Sequence, residues 1–192
     1  MQIAYLCALA LRATPIKHVR ADEVVQALAP GQTWAGIDIA KQELLVVMRD
    51  SSGVHQRPWK VKQPGELAAL VALLVEVHRW RPLSVALEST GTYGDALRQA
   101  LGDAGLAVGR VSGKAASDYA EIFDGVPSAH DGKDAAILAE LAAIGKSRPW
   151  PGEAASEWQA ELEAGVAWLD AQQRILQLWL GRLEAQLARH WP

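Results

Sequence analysis

The spacing of hydrophobic positions changes twice along the chain and divides it into three regions. Residues 1–33 mix apolar and polar positions and end near a Pro-Gly pair, which is typical of a break between elements. Residues 34–148 alternate short apolar or β-branched runs with stretches of helical spacing. Residues 153–192 carry a single helical pattern. We therefore predict a helical or partly ordered leader that the sequence determines poorly, a central domain and a C-terminal helical segment.

The central region predicts a sheet that begins with a three-stranded meander. "WAGIDIA" and "ELLVVMRD" are separated by only Lys41 and Gln42, which indicates a hairpin, and "VHQRPWKV" follows a Ser-Ser-Gly turn. Helices and strands then alternate through "PGELAALVALLVEVHRW", "LSVALEST", "YGDALRQALGDAG" and "LAVGRV", with further helices from about Lys114 and in "DGKDAAILAEL". The order βββαβαβα predicts an α/β fold, a mixed sheet with helices on both faces in the ribonuclease H-like arrangement.

The C-terminal segment has the spacing of a coiled coil. Two series of heptad positions lie four residues apart: Leu162, Leu169, Leu176 and Leu183, and Val166, Gln173, Leu180 and Leu187. Gly165 and Gly181 would each cost the helix about 1 kcal/mol, so packing against a partner must offset them. The pattern favours a long coiled-coil helix that makes a homo-oligomer. An amphipathic helix that folds back on the central domain is the alternative.

Composition excludes several classes of protein. The net charge of −3 gives no general basic coat, so nucleic acid would contact local patches or carboxylates neutralised by metal ions. The single cysteine, Cys7, excludes an internal disulfide and fits a reducing cytoplasm. No basic residue precedes the apolar run from Ala4 to Leu11, which disfavours a secretory signal. No run approaches the ~18 apolar residues of a membrane helix, so we expect a cytoplasmic protein.

Four acidic residues stand out from apolar surroundings. Asp38 interrupts an apolar strand and projects to the face opposite Ile37 and Ile39. Glu88 closes an apolar strand at its carboxyl end, where α/β sheets commonly bind ligands. Asp131 and Asp134 are three residues apart and share one face of a predicted helix. A buried carboxylate is costly unless it is paired, hydrogen-bonded or bound to a cation.

If the last helix crosses the sheet near the first and fourth strands, the four carboxylates converge. Such a set favours hard divalent cations, and two ions about 3.5–4 Å apart would activate a water or hydroxyl and stabilise the leaving oxygen of a phosphodiester. Structural roles are the alternative. Asp131 could be an N-cap with Asp134 at the third helical position, Asp38 could accept hydrogen bonds in the hairpin, and Glu88 could cap the next helix.

The acidic segments resemble a known family. "GIDIAK", "ALESTGTYG" and "HDGKDAAILAEL" are similar to the D, E and D-x-x-D blocks of the DEDD insertion-sequence transposases, the IS110 family, over about residues 34–145. The most specific part is Glu88-Ser89-Thr90-Gly91 with Tyr93. The resemblance implies a RuvC-like domain in which Asp38, Glu88, Asp131 and Asp134 are catalytic metal ligands for magnesium, with manganese possible as a substitute. It also implies DNA recombination at element ends and target, guidance by a bridge RNA, a location at the prokaryotic nucleoid, and multimers assembled by the C-terminal helix.

The sequence departs from the family pattern at several points. His130 stands where a threonine is common, and a Val-Asn-Pro-x-x-x-Lys run is only echoed by Val111-Ser112-Gly113-Lys114. The resemblance implies a second domain after the coiled coil that supplies a catalytic serine, and none of the serines in the sequence, which stops at "LARHWP", lies in a matching block. We therefore assign no nucleophile and expect the RuvC-like part of a transposase, incomplete on its own.

Several residues are candidates for contact with nucleic acid. They are Lys133, Tyr93, Lys114 and Lys41, followed by Lys60, Lys62 and Arg110. Lys133 lies beside the expected metal site, although it could instead reduce repulsion between Asp131 and Asp134. A catalytically silent module that binds nucleic acid and oligomerises is the alternative function. An actin-like ATPase would need a second glycine-rich phosphate loop, which the sequence does not contain.

Overall fold

The structure is a computed structural model that describes residues 13–88, 93–123, 131–150 and 157–191. Contacts divide the chain into two compact units, residues 1–152 and 153–192. We call the first the central unit. In the described part, none of the helices is both long enough and apolar enough to cross a membrane.

One mixed sheet of seven strands forms the middle of the central unit, as far as the chain is described. The strands are β1 (Thr14–Pro15), β2 (Thr33–Ile39), β3 (Glu43–Arg49), β4 (Trp59–Lys62), β5 (Leu83–Glu88), β6 (Ala107–Val111) and β7 (Arg148–Pro149). They lie in the order β1-β4-β3-β2-β5-β6-β7. β2, β3 and β4 are antiparallel, whereas β5 and β6 extend the sheet from β2 in parallel. This topology is ribonuclease H-like and confirms the predicted fold class.

Helices cover both faces of the sheet. They are α1 (Ala21–Ala27), α2 (Leu67–Trp80), α3 (Asp95–Asp103), α4 (Gly113–Phe123) and α5 (Asp131–Ala143), and the second unit contains α6 (Glu157–His190). α1, α2 and α3 bury Val24, Leu70 and Leu97 in one core with Ile37 and Leu87 of the sheet. α4 and α5 form a smaller core on the other face.

The described end of the predicted leader contributes to the first core. Ile16, Val24 and Leu28 are buried there, and Thr14 pairs with Trp59 of β4. A helix as short as α1 gains most of its stability from such packing, which explains why residue spacing alone did not determine its fold. Cys7 lies outside the described residues.

α5 lies directly on β2 because a glycine faces it. Successive strand residues point to opposite faces, so Gly36 faces α5 while its neighbours Ala35 and Ile37 enter the first core. A Cβ atom at Gly36 would lie 1.9 Å from the carbonyl oxygen of Ala135 and 2.5 Å from the amide nitrogen of Ala139. Only a residue without a side chain allows this backbone contact, which brings the start of α5 close to the sheet.

Candidate active site

Asp38 and Glu88 lie at the carboxyl ends of neighbouring parallel strands. Ile37 of β2 is in register with Leu87 of β5, and the two acids are the next residue of each strand. Ile37 and Leu87 enter the first core, so Asp38 and Glu88 project to the other face, which α5 covers. The sheet therefore presents both carboxylates at one end and on one face.

α5 adds Asp134 to this end of the sheet. Asp134 directly precedes Ala135, whose carbonyl lies against Gly36 of β2. Burial raises the pKa of the Glu88 carboxyl above its ordinary value, and the negative charge of Asp134 raises it further. The structure thus brings Glu88 and Asp134 into electrostatic contact across distant parts of the sequence.

The described side chains do not form a complete four-acid cluster. Among them, no group of three or more histidine, cysteine or acidic side chains could hold a metal ion. The backbone of Asp131 begins α5, but its side chain lies outside the described part, as does His130. Asp38 and Asp134 each interact with other groups. The geometry therefore provides one coupled carboxylate pair, with Asp38 at the same end of the sheet.

A surface depression lies beside Asp38. Its volume is about 330 Å³, and it is lined by Asp38, Ala40, Lys41, Gln42, Glu43 and Leu45. Lys41 and Asp38 thus line the same depression. A phosphate could approach the acids here while its charge is partly balanced by Lys41.

Gly113 leaves room for the Glu88 carboxylate, and sequence reasoning did not identify this role. A Cβ atom at Gly113 would lie 2.6 Å from Oε1 of Glu88. Ser112 caps the same helix, since the Ala115 N–H donates to its hydroxyl oxygen at 3.2 Å. The available signal was the glycine that begins α4, within the segment that matches the family pattern only in part.

A partly buried ion pair fixes the second half of α5 to the sheet. Arg49 at the end of β3 donates to both oxygens of Glu140 in α5, with Nη2 at 3.1 Å from Oε1. The Arg49 guanidinium also lies 5.3 Å from the centroid of the Trp34 ring. His55 Nε2 is 3.4 Å from Oε2 of Glu140, without the geometry of a hydrogen bond. We infer that this cluster positions the helix that carries Asp134.

His55 is expected to make stability depend on pH. Burial lowers the pKa of His55 below its ordinary value of 6.5, so the folded chain binds fewer protons there than the unfolded chain. The free energy of unfolding should therefore fall as pH drops below about 6.5, by on the order of 1 kcal/mol. Urea unfolding at pH 7.5 and 5.5 measures this loss. His55→Gln should reduce it, whereas His18→Gln, at an exposed histidine, should not. Equal losses in all three proteins would contradict this role.

The candidates for nucleic-acid contact have different surroundings. Lys133 is 7 % exposed and interacts with other groups, a placement that favours charge balance near the acids over direct contact with DNA. Tyr93 is exposed, and Lys114 pairs with Asp118 at 2.9 Å. Lys60 pairs with Glu43, while Lys62 is exposed. Lys41 thus reaches solvent and lies near Asp38, one of the four candidate metal ligands.

The chain is similar to several known proteins. A family model described as "Transposase", for DEDD proteins of IS110 type, matches residues 35–192. Two structures of Thermus thermophilus RuvC, one in complex with Holliday junction substrate, each share 20% identity at a TM-score of 0.43, covering 62% of this chain and 99% of theirs. The ethanolamine utilization protein EutJ from Carboxydothermus hydrogenoformans shares 16% identity at a TM-score of 0.33, covering 53% of this chain and 50% of that one. No curated protein matches the chain.

Proposed function

The chain belongs to the IS110 family of DEDD transposases, and on that premise we propose that Asp38, Glu88, Asp131 and Asp134 form its metal-dependent catalytic site for DNA strand exchange. The observation that carries this proposal is the coupling of Glu88 to Asp134 at the end of the sheet where Asp38 lies. Two partly buried carboxylates that repel each other are costly for the fold. A site that binds a cation explains why the sequence keeps them together.

The donor set fits a hard divalent cation. Every proposed ligand is a carboxylate, and Mg²⁺ prefers oxygen ligands, with Mn²⁺ accepted by the same set. When bound, such an ion would polarise the phosphodiester and lower the pKa of the attacking water or hydroxyl. The repulsion between Glu88 and Asp134, which raises the pKa of Glu88, also favours a cation, because a bound cation would relieve it.

Other residues of the chain prepare the site without touching the reacting atoms. Gly113 leaves space for the Glu88 carboxylate, and the Arg49–Glu140 pair holds α5 in place. Lys41 can receive a phosphate at the depression beside Asp38. Together they would orient DNA and keep the carboxylates in place during strand cleavage.

We further propose that α6 joins copies of the chain and that a bridge RNA guides the choice of DNA. All seven apolar heptad positions of α6 are exposed: Leu162, Val166, Leu169, Leu176, Leu180, Leu183 and Leu187. Such a stripe at heptad spacing fits a coiled coil with a second copy. The bridge RNA rests on family membership alone. An assembly of this kind would act at the nucleoid in the cytoplasm.

A catalytically silent module is the second candidate function. It is favoured by one observation, that no group of three described histidine, cysteine or acidic side chains could hold a metal ion. In this case Glu88 and Asp134 would be remnants of a site, and the chain would only bind nucleic acid and assemble. The two functions differ in whether a divalent cation binds the acids.

Thermal unfolding with and without magnesium separates the two functions. A ligand that binds only the folded state stabilises it, by about 2.7 kcal/mol at a concentration 100 times its Kd. We expect millimolar Mg²⁺ to raise the Tm of the parent chain and of Asp118→Asn, which removes an exposed acid on α4. We expect no rise in Asp38→Ala. The silent module would be favoured if Mg²⁺ did not change the Tm of the parent chain and if Asp38→Ala had a higher Tm because repulsion between the acids is relieved.

A further inference from the structure

Three arginines and a tryptophan gather at the β6–β7 edge of the sheet. We call Arg98, Arg110, Arg148 and Trp150 the edge patch. Arg110 of β6 and Arg148 of β7 are register partners in an antiparallel pair, so their side chains leave the sheet side by side. Arg110 points to the same face as Val108, which enters the first core. The edge patch therefore lies on the face opposite the acids.

Trp150 holds two of the arginines. The guanidinium carbon of Arg98 lies 5.0 Å from the centroid of the Trp150 ring, and that of Arg110 lies 5.8 Å from it. Trp150 packs against the first core, and its backbone N–H donates to the carbonyl oxygen of Val108 at 2.8 Å. A cation beside an aromatic ring is stabilised electrostatically, so the ring contacts the largely buried Arg98 and fixes Arg110 at the surface.

The positive charges of Arg110 and Arg148 in the edge patch are not balanced by acids in the described part of the chain, whereas Arg98 has a neighbouring acid. Within the described ranges, no carboxylate lies within ion-pair distance of Arg110, Arg148 or the nearby exposed Lys146. The Arg98 side chain has Asp95 at 3.8 Å. Like charges directly opposite in an antiparallel pair destabilise it. On a chain of net charge −3, this concentration of cations indicates an anionic partner.

We propose that the edge patch binds the phosphate backbone of duplex DNA, at a place separate from the acids. Guanidinium groups bind phosphate oxygens through two parallel hydrogen bonds, and two neighbouring arginines can contact successive phosphates. Single-stranded nucleic acid is bound by open aromatic faces on which bases stack. The ring of Trp150 is covered by the guanidinium groups of Arg98 and Arg110, so it does not offer an open face for base stacking. This favours duplex DNA over a single strand. The choice of DNA rests on the function proposed above.

A duplex that crosses this edge would extend the DNA contact beyond the reacting strand. Contacts to phosphates fix position without reading sequence. The edge patch would therefore raise the affinity for any duplex and leave the choice of site to other parts of the assembly.

The salt dependence of duplex binding tests the edge patch. A labelled 30-bp DNA of mixed sequence is titrated with the full chain in EDTA, over a range of salt concentrations, by fluorescence anisotropy. In Arg110→Gln/Arg148→Gln we expect binding about tenfold weaker and a log K against log salt slope shallower by about 2, since each lost phosphate contact removes about 0.9. The Tm should be equal or higher, because the facing charges are gone. Lys17→Gln/Arg79→Gln removes two exposed cations elsewhere and should keep the slope.

Three outcomes would overturn the proposal. The first is that Arg110→Gln/Arg148→Gln, the edge variant, has the same slope of log K against log salt as the parent chain. The second is an equal loss in the control pair, which would make the effect one of net charge. The third is a slope change seen only with an RNA hairpin of the same length, which would assign the patch to RNA. Because EDTA removes divalent ions, this test is independent of the magnesium test. If the edge variant changes the salt slope but Mg²⁺ does not raise the Tm of the parent chain, the edge patch is supported and the catalytic site is rejected. If Mg²⁺ raises the Tm but the edge variant leaves the slope unchanged, only the edge patch is rejected.

Discussion

Gly36→Ala is expected to destabilise the central unit by about 3 kcal/mol. The new Cβ atom would lie 1.9 Å from the carbonyl oxygen of Ala135 and 2.5 Å from the amide nitrogen of Ala139, and backbone atoms cannot rotate away as a side chain can. α5 would have to leave β2, yet its second half is fixed by the Arg49–Glu140 pair. The free energy of unfolding in urea measures the loss.

Gly65→Ala is the matched control for this change. A Cβ atom there meets no atom within 4 Å, so the free energy of unfolding should change by no more than about 0.5 kcal/mol. The same substitution at two glycines thus separates backbone contact from the ordinary cost of replacing glycine. If Gly36→Ala were as stable as Gly65→Ala, α5 would not lie on β2 at the distance described.

Glu88→Gln is expected to change activity and stability in opposite directions. In an assembly that also contains the serine-bearing domain of the family, removing one metal ligand should lower Mg²⁺-dependent cleavage of the element's end DNA by about 100-fold or more. Without metal, the raised pKa of Glu88 means that its charged form is disfavoured in the folded chain at neutral pH. Glutamine removes that cost, so the free energy of unfolding in EDTA at pH 7 should rise. A variant that loses both activity and stability would show a structural role for Glu88 instead.

Gly113→Ala tests the same carboxylate without removing its charge. The new Cβ atom would lie 2.6 Å from Oε1 of Glu88, which is the mobile end of a side chain, so the helix should fold and the carboxylate should move. We expect weaker cation binding with little loss of stability. Unchanged cation binding would show that the position of Glu88 tolerates displacement.

The order of the strands from β2 to β6 and of the helices from α2 to α5 followed from spacing, whereas β1, α1, β7 and some boundaries did not. The hairpin around Lys41 and Gln42 and the helical C-terminal segment were predicted, and the fold class is confirmed. The predicted third strand is shorter than expected, because the chain pairs regularly only from Trp59. Pro58 precedes it and has no N–H to donate to a ladder. That α6 joins copies of the chain stays a prediction.

Part of the candidate site could be predicted from the sequence. Asp38 and Glu88 were found because a charge in or at the end of an apolar strand breaks the pattern, and their register places them together. The space at Gly113 and the Arg49–Glu140 pair could not be found this way. They join residues far apart in the sequence, and periodicity reports only which face a residue occupies, not what lies opposite.

Asp38, Glu88, Asp131 and Asp134 are proposed to form one divalent-cation site. The most direct measurement is a titration of the parent chain, Glu88→Gln and Asp118→Asn with Mn²⁺. The concentration of free Mn²⁺ is measured by electron paramagnetic resonance. We predict saturable binding at a fixed number of ions per chain in the parent and in Asp118→Asn, and its loss in Glu88→Gln. Equal binding in all three proteins, or no saturable binding in the parent, would contradict the claim.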